Sequence, residues 1–128
     1  MSTKPAILLV EDNLLVKKIS VVILENLNCV VDTAVTGGQA IELANQNKYD
    51  IILVDIGLPD MDGFDVIAYI RNDSKLNQNS TIIALTAHLD REYMKQSLEV
   101  GASDFLAKPI NYAVGKSMLH KFPSIDFK

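Results

Sequence analysis

Tryptophan is absent from this chain of 128 residues, and cysteine occurs once, as Cys29. A lone cysteine excludes an internal disulfide and a cysteine-based metal centre. Its place in the apolar run Cys29-Val30-Val31 marks it as a small core residue. No stretch approaches the ~20 apolar residues of a membrane-spanning helix. Met1-Ser2-Thr3-Lys4-Pro5 is not a signal sequence. That start reads as a natural N-terminus, and the expected compartment is the cytoplasm. There is neither a Gly-x-Gly-x-x-Gly nor a Walker motif, so Gly37-Gly38 reads as punctuation before a helix and not as a phosphate cradle. Lacking a phosphate loop and any tryptophan for ring stacking, the chain is a poor flavodoxin-like cofactor binder. Basic runs are missing too. With 12 Lys plus Arg against 16 Asp plus Glu and a net charge of −4, direct nucleic-acid binding is disfavoured.

What is present is an apolar chain, 48% hydrophobic, with its charges dispersed. Its length suits one domain with its own core and is too short for two. We expect a single domain over residues 1–128 with its core in residues 6–122. Short apolar runs at residues 6–10, 29–33, 49–55, 81–85 and 104–107 read as strands. Helical patterns alternate with them, which points to a parallel sheet covered on both faces. In the first helix Leu15, Ile19, Val22, Ile23 and Leu27 share a face, with Val16, Val21 and Leu24 as further apolar surface. That surplus fits a helix wedged between the sheet and its neighbours, or a partner-binding face. Asp62-Gly63 starts a third helix with Phe64, Ile67 and Ile70 inward. Residues 73–80 read as a polar loop. Asp90 caps a fourth helix with Met94, Leu98 and Tyr93 inward. The last helix, residues 111–122, contains Gly115 at a cost of about 1 kcal/mol relative to alanine and precedes Pro123, so it should be short or frayed.

The strand tips carry the chemistry. The run Ile51-Ile52-Leu53-Val54 ends in Asp55, and the first strand ends in Glu11-Asp12. Thr86 follows the fourth strand and Lys108 the fifth. In an open parallel sheet these tips meet at one edge, where ligands bind. Three carboxylates together repel unless a cation sits among them. A hard ion such as Mg2+, with Mn2+ as the alternative, takes oxygen ligands, and no histidine or cysteine joins the set to favour zinc or copper. Asp60 and Asp62 read as turn and cap residues.

The constellation resembles the receiver domain of two-component response regulators. It matches through Glu11-Asp12, Asp55 followed by Leu58-Pro59-Asp60-Met61-Asp62-Gly63, Thr86-Ala87, Phe105 and Lys108-Pro109, over residues 6–122. The resemblance implies a three-layer, flavodoxin-like (βα)5 fold with a five-stranded parallel sheet of order 2-1-3-4-5. It implies that Asp55 accepts a phosphoryl group from a histidine kinase or histidine phosphotransfer domain. Asp12 would hold Mg2+ directly and Glu11 through water, with Asp55 and the Gly57 carbonyl completing the ligands. Thr86 and Lys108 would contact the phosphoryl group, and the Lys108–Pro109 bond would be cis. Thr86 and Phe105 would relay the change to a downstream effector at the face of the fourth helix, fifth strand and fifth helix, or at the first helix. Gly57 and His88 would tune the lifetime of the acyl phosphate. Two other classes stay open: a pseudo-receiver that binds partners without phosphorylation, and an aspartate-nucleophile phosphatase. The phosphatase needs a second acid where this chain has Gly57.

Overall fold

The computed structural model describes residues 4–87 and 91–122. Five parallel strands, β1 (Ala6–Val10), β2 (Val30–Ala34), β3 (Ile51–Asp55), β4 (Thr81–Thr86) and β5 (Asp104–Ala107), form one sheet in the order β2-β1-β3-β4-β5. The helices are α1 (Leu14–Asn26), α2 (Gly37–Gln46), α3 (Gly63–Asp73), α4 (Arg91–Glu99) and α5 (Tyr112–Lys121). The parallel sheet expected from the alternating pattern is found, in the flavodoxin-like order that the resemblance implies. Four helices start at a polar side chain that accepts from an otherwise unpaired amide: Asn13 from Val16, Thr36 from Gln39, Asp62 from Phe64, and Asn111 from Val114. The expected cap Asp90 lies outside the described residues.

Strand alternation divides the core into two layers. Leu8, Val10, Ile52, Val54, Ile82 and Ala84 face α2 and α3, with Val66, Ile67 and Ile70 among their neighbours. Ile7, Leu9, Ile51, Leu53, Ile83 and Leu85 face the other side, with Leu24, Met118 and Leu119 from α1 and α5. Each fully buried Ile or Leu contributes about 1.5–3 kcal/mol. Every residue of β3 is buried, including the terminal Asp55. The second and third strands start one and two residues later than the apolar runs suggest, at Val30 and Ile51.

Two helices turn differently from expectation. In α1 the inward residues are Ser20 and Leu24, supported by Val21 and Leu27. Leu15 is 68% exposed, Val22 51% and Ile19 42%, with Leu14 beside them at 68%. The helix is apolar on most of its circumference, so periodicity alone does not say which stripe meets the sheet. In α4 the buried residue is Ser97, whose hydroxyl donates to the Tyr93 carbonyl at 2.7 Å. Met94 is half-buried, whereas Leu98 and Tyr93 are exposed. The Ser97 hydroxyl is satisfied by the carbonyl four residues back, so the serine can be buried without a partner outside the helix.

Gly115 also has a packing reason. It is buried in α5 against α1, where a built Cβ would stand 3.0 Å from Leu27 Cδ1. The final helix is short, at 10 residues, and its glycine admits the neighbouring helix.

The edge opposite the strand tips is closed by polar side chains. Asn77 is fully buried. Its Oδ1 accepts from the Tyr49 amide at 2.8 Å, and its Nδ2 donates to the carbonyls of Ala44 and Asn47 at 2.6 and 2.7 Å. Ser80 Oγ lies 2.7 Å from the Tyr49 carbonyl. Arg71 donates to the carbonyls of Gly101, Gln78 and Ser80 at 2.7–2.9 Å. These bonds satisfy loop backbone that would otherwise be buried unpaired. The loop expected to be merely polar therefore also sends three side chains, Ser74, Asn77 and Ser80, into the interior.

Cys29 is 5% exposed, and burial pushes its thiol from 9.0 up to about 11. Since folding prefers the protonated thiol, the stability it contributes is present below pH 9 and lost as pH rises through about 11. At pH 8 the thiolate is therefore rarer than in the unfolded chain. Iodoacetamide should accordingly label the native protein more slowly than the urea-unfolded one. Equal rates would show that the site opens readily. Among the described residues, no helix is long and apolar enough to cross a membrane.

Candidate functional site

Register decides which side chains meet. Val10 stands beside Val54, so Glu11 leaves the sheet next to Asp55. Asp55 stands beside Leu85, and Thr86 beside Ala107, which puts Lys108 one residue past the row. The Lys108 amide donates to the Thr86 carbonyl at 2.9 Å, and the Lys108–Pro109 peptide is cis.

Glu11, Asp12 and Asp55 each bring a carboxylate oxygen within 4.8 Å of the others. Glu11 is fully buried and Asp55 1% exposed, while Asp12 faces solvent. The Lys108 ammonium lies 2.8 Å from Asp55 Oδ2 and 3.4 Å from Glu11 Oε1. Asp55 Oδ1 accepts from the Gly57 amide at 2.9 Å, and Glu11 Oε2 from the Asn13 amide at 3.1 Å. A cleft of about 300 Å3 opens over Asp55, lined also by Gly57, Phe64, Thr86, Tyr93 and Lys108. Thr86 is buried in its wall. Phe105, beside Ala84 in the sheet, is half-buried against the core. His88 lies outside the described residues.

The electrostatics separate the two buried acids. Burial pushes Asp55 up, but the bonds from Lys108 and from the Gly57 amide outweigh it and hold the carboxyl below its ordinary range. Burial raises Glu11 to about 7, and Asp55 beside it adds to the rise. Burial disfavours the Lys108 cation, yet Asp55 and Glu11 more than compensate. The result is an ionised, half-neutralised Asp55 at the floor of the cleft, next to a glutamate short of positive charge. An all-oxygen donor set with one exposed member suits a hard, partly hydrated divalent cation. This donor chemistry is the fit to Mg2+.

The family model described as the response regulator receiver domain matches residues 7–120. The chain belongs to the response regulator receiver domain family. Hybrid signal transduction histidine kinase B of Dictyostelium discoideum is 38% identical over 114 residues, covering 81% of this chain and 6% of that protein. This receiver domain thus spans a small fraction of the curated relatives it matches, 6% of that kinase and 7% of hybrid signal transduction histidine kinase L of the same organism. Among solved structures, the receiver domain of the sensor histidine kinase PA1611 from Pseudomonas aeruginosa, described with magnesium coordinated in its active-site cleft, is 33% identical. Its TM-score is 0.85, covering 94% of this chain and 98% of that one. Chemotaxis response regulator CheY4 of Vibrio cholerae is 27% identical with TM-score 0.86, over 94% and 99%.

Three features of the receiver site escaped the sequence reading. Phe64 and Tyr93 line the cleft as a stacked pair with centroids 6.4 Å apart. Gly63 lies directly against the backbone of Asp55 and Ile56. Asp60 reaches the start of α2, where its two oxygens accept from the amides of Gly37 and Gly38. Only Asp60 had a signal in the sequence, as one of two acids, with Asp62, in the turn after the acceptor strand.

Proposed function

We propose that Asp55 is the phosphoacceptor of a phosphorelay, taking its phosphoryl group from a histidine kinase or a histidine phosphotransfer domain. The observation that carries this reading is the buried Asp55 carboxylate, kept ionised 2.8 Å from the Lys108 ammonium at the floor of an open cleft. An Asp55 oxygen attacks the phosphorus of the donor phosphoimidazole. The P–N bond breaks with its electron pair left on the imidazole nitrogen, which takes up a proton, and an acyl phosphate forms. Asp12 would hold Mg2+ directly and Glu11 through water, with Asp55 and the Gly57 carbonyl completing the protein ligands. When bound, the ion neutralises charge on the transferring group. Lys108 exchanges its bond to Asp55 for one to a phosphoryl oxygen, and the Thr86 hydroxyl donates to another. Thr86 and Phe105 then shift together and alter the face of α4, β5 and α5 for an effector.

The exposed apolar face of α1 supports docking of the donor. Leu14 and Leu15 begin the helix just past the acidic tip of β1, and Ile19 and Val22 extend the stripe. A helical donor seated there brings its phosphohistidine over the cleft.

Incubation with acetyl phosphate and Mg2+ should add one phosphoryl group, and chelation should prevent it. No addition would favour the pseudo-receiver reading. Leu15→Asp should slow labelling from a phosphohistidine protein about tenfold or more, as expected for a central interface residue, while acetyl phosphate labelling stays unchanged. Equal slowing with both donors would remove α1 as the docking face. In the labelled protein, unaltered Phe105 ring contacts would remove the switch.

A further inference from the structure

We propose that Asp60 is a positioning residue for the cation site, a tether that fixes the acceptor loop on the first turn of α2 and so sets where the Gly57 carbonyl stands. The inference rests on the phosphoacceptor reading above and deepens it.

Residues 56–62 carry the chain from Asp55 to α3. The inner part of this loop is anchored to the acceptor strand, to its neighbour β4 and to itself. Ile56 donates to the Leu85 carbonyl at 3.1 Å, Gly57 to Asp55 Oδ1 at 2.9 Å, and Gly63 back to the Ile56 carbonyl at 3.2 Å. The outer part is anchored elsewhere. Asp60 Oδ1 accepts from the Gly37 amide at 2.8 Å and Oδ2 from the Gly38 amide at 3.0 Å. Among the described residues, Asp60 supplies the hydrogen bonds that tie residues 58–61 to another element.

Two oxygens on two consecutive amides fix orientation as well as distance, and the positive end of α2 favours the carboxylate. The amides of Gly37 and Gly38 in turn hold Asp60 below its ordinary range. Met61 reinforces the contact by lying on Gly37, where a built Cβ would collide with its Cγ. Leu58 and Met61 rest on the core through apolar contacts, which set depth but little direction. With Asp60 gone, Gly57 keeps its amide bond to Asp55, but the segment after it can rotate, and the carbonyl direction is lost.

The tether is separable from the fold. Asp60 is exposed, and α2 keeps its own cap because the Thr36 hydroxyl accepts from the Gln39 amide at 3.1 Å. The test is Mg2+ titration followed on backbone amide resonances, with no phosphoryl donor present, beside urea unfolding of the same variants. Asp60→Ala should raise the Mg2+ dissociation constant about tenfold, the scale of supporting groups behind metal ligands. Asp60→Asn keeps one acceptor oxygen and should fall between. Wild-type Mg2+ affinity in both variants overturns the proposal, whether or not their urea midpoints drop. Failure of the wild type to bind Mg2+ or accept phosphate would instead overturn the reading beneath it.

Discussion

Asp55→Asn should abolish labelling by acetyl phosphate and Mg2+, with a rate lower by on the order of 10^3-fold or more. A carboxamide oxygen is a poor nucleophile and cannot yield a stable acyl phosphate. The fold should persist. Asparagine keeps the shape of the side chain and an oxygen for the Gly57 amide, which donates to Asp55 at 2.9 Å. Removing the charge at position 55 costs Lys108 its 2.8 Å partner but leaves Glu11 at 3.4 Å. It also removes one of the causes that push Glu11 up, so Glu11 should ionise more readily. The measurement is intact mass after incubation, beside the urea midpoint of the same sample. Undiminished phosphoryl addition in Asp55→Asn would move the acceptor to another residue and sink the assignment.

Gly63→Ala should damage both the fold and the site. Gly63 opens α3 with its Cα pressed on the acceptor strand. A built Cβ would stand 2.5 Å from the Asp55 carbonyl oxygen and collide with Ile56 Cα. Both are backbone atoms at the buried end of the central strand, so the new methyl cannot be accommodated by turning a side chain. Overpacking of this kind costs about 3 kcal/mol. Relief would come from lifting residues 56–62, the loop that carries Gly57, so labelling should fall even where the variant remains folded. Urea unfolding and acetyl phosphate labelling beside the wild type check this. Gly63→Ala with wild-type stability would show that the strand end yields to the methyl.

Much of this architecture was legible because the signals are local and redundant. Four of the five apolar runs ended in chemically distinctive residues, and parallel topology requires such tips to share an edge. Asp55 stood out because a charge directly after four apolar residues has no place inside a sheet. Ser20 and Leu24 were missed as the inward face of α1 because Leu15, Ile19 and Val22 offer an equally apolar stripe at the same spacing. What decides between them is the shape of the sheet surface, which no periodicity carries. Asn77 and Ser80 were missed because hydropathy assigns polar residues to solvent. Here they are buried by bonds to backbone carbonyls and amides far away in sequence. The grip of Asp60 on α2 spans 22–23 residues and has no local signature.

The polar closure of the edge opposite the site bears on how such a unit is reused. Asn77, Ser80 and Arg71 seal the loops at that edge with groups drawn from the domain itself, leaving little there that an adjoining domain must complete. A unit finished in this way can travel between genes as a cassette. That fits the finding that similar sequences fill nearly all of one chemotaxis regulator and 6% of a hybrid kinase.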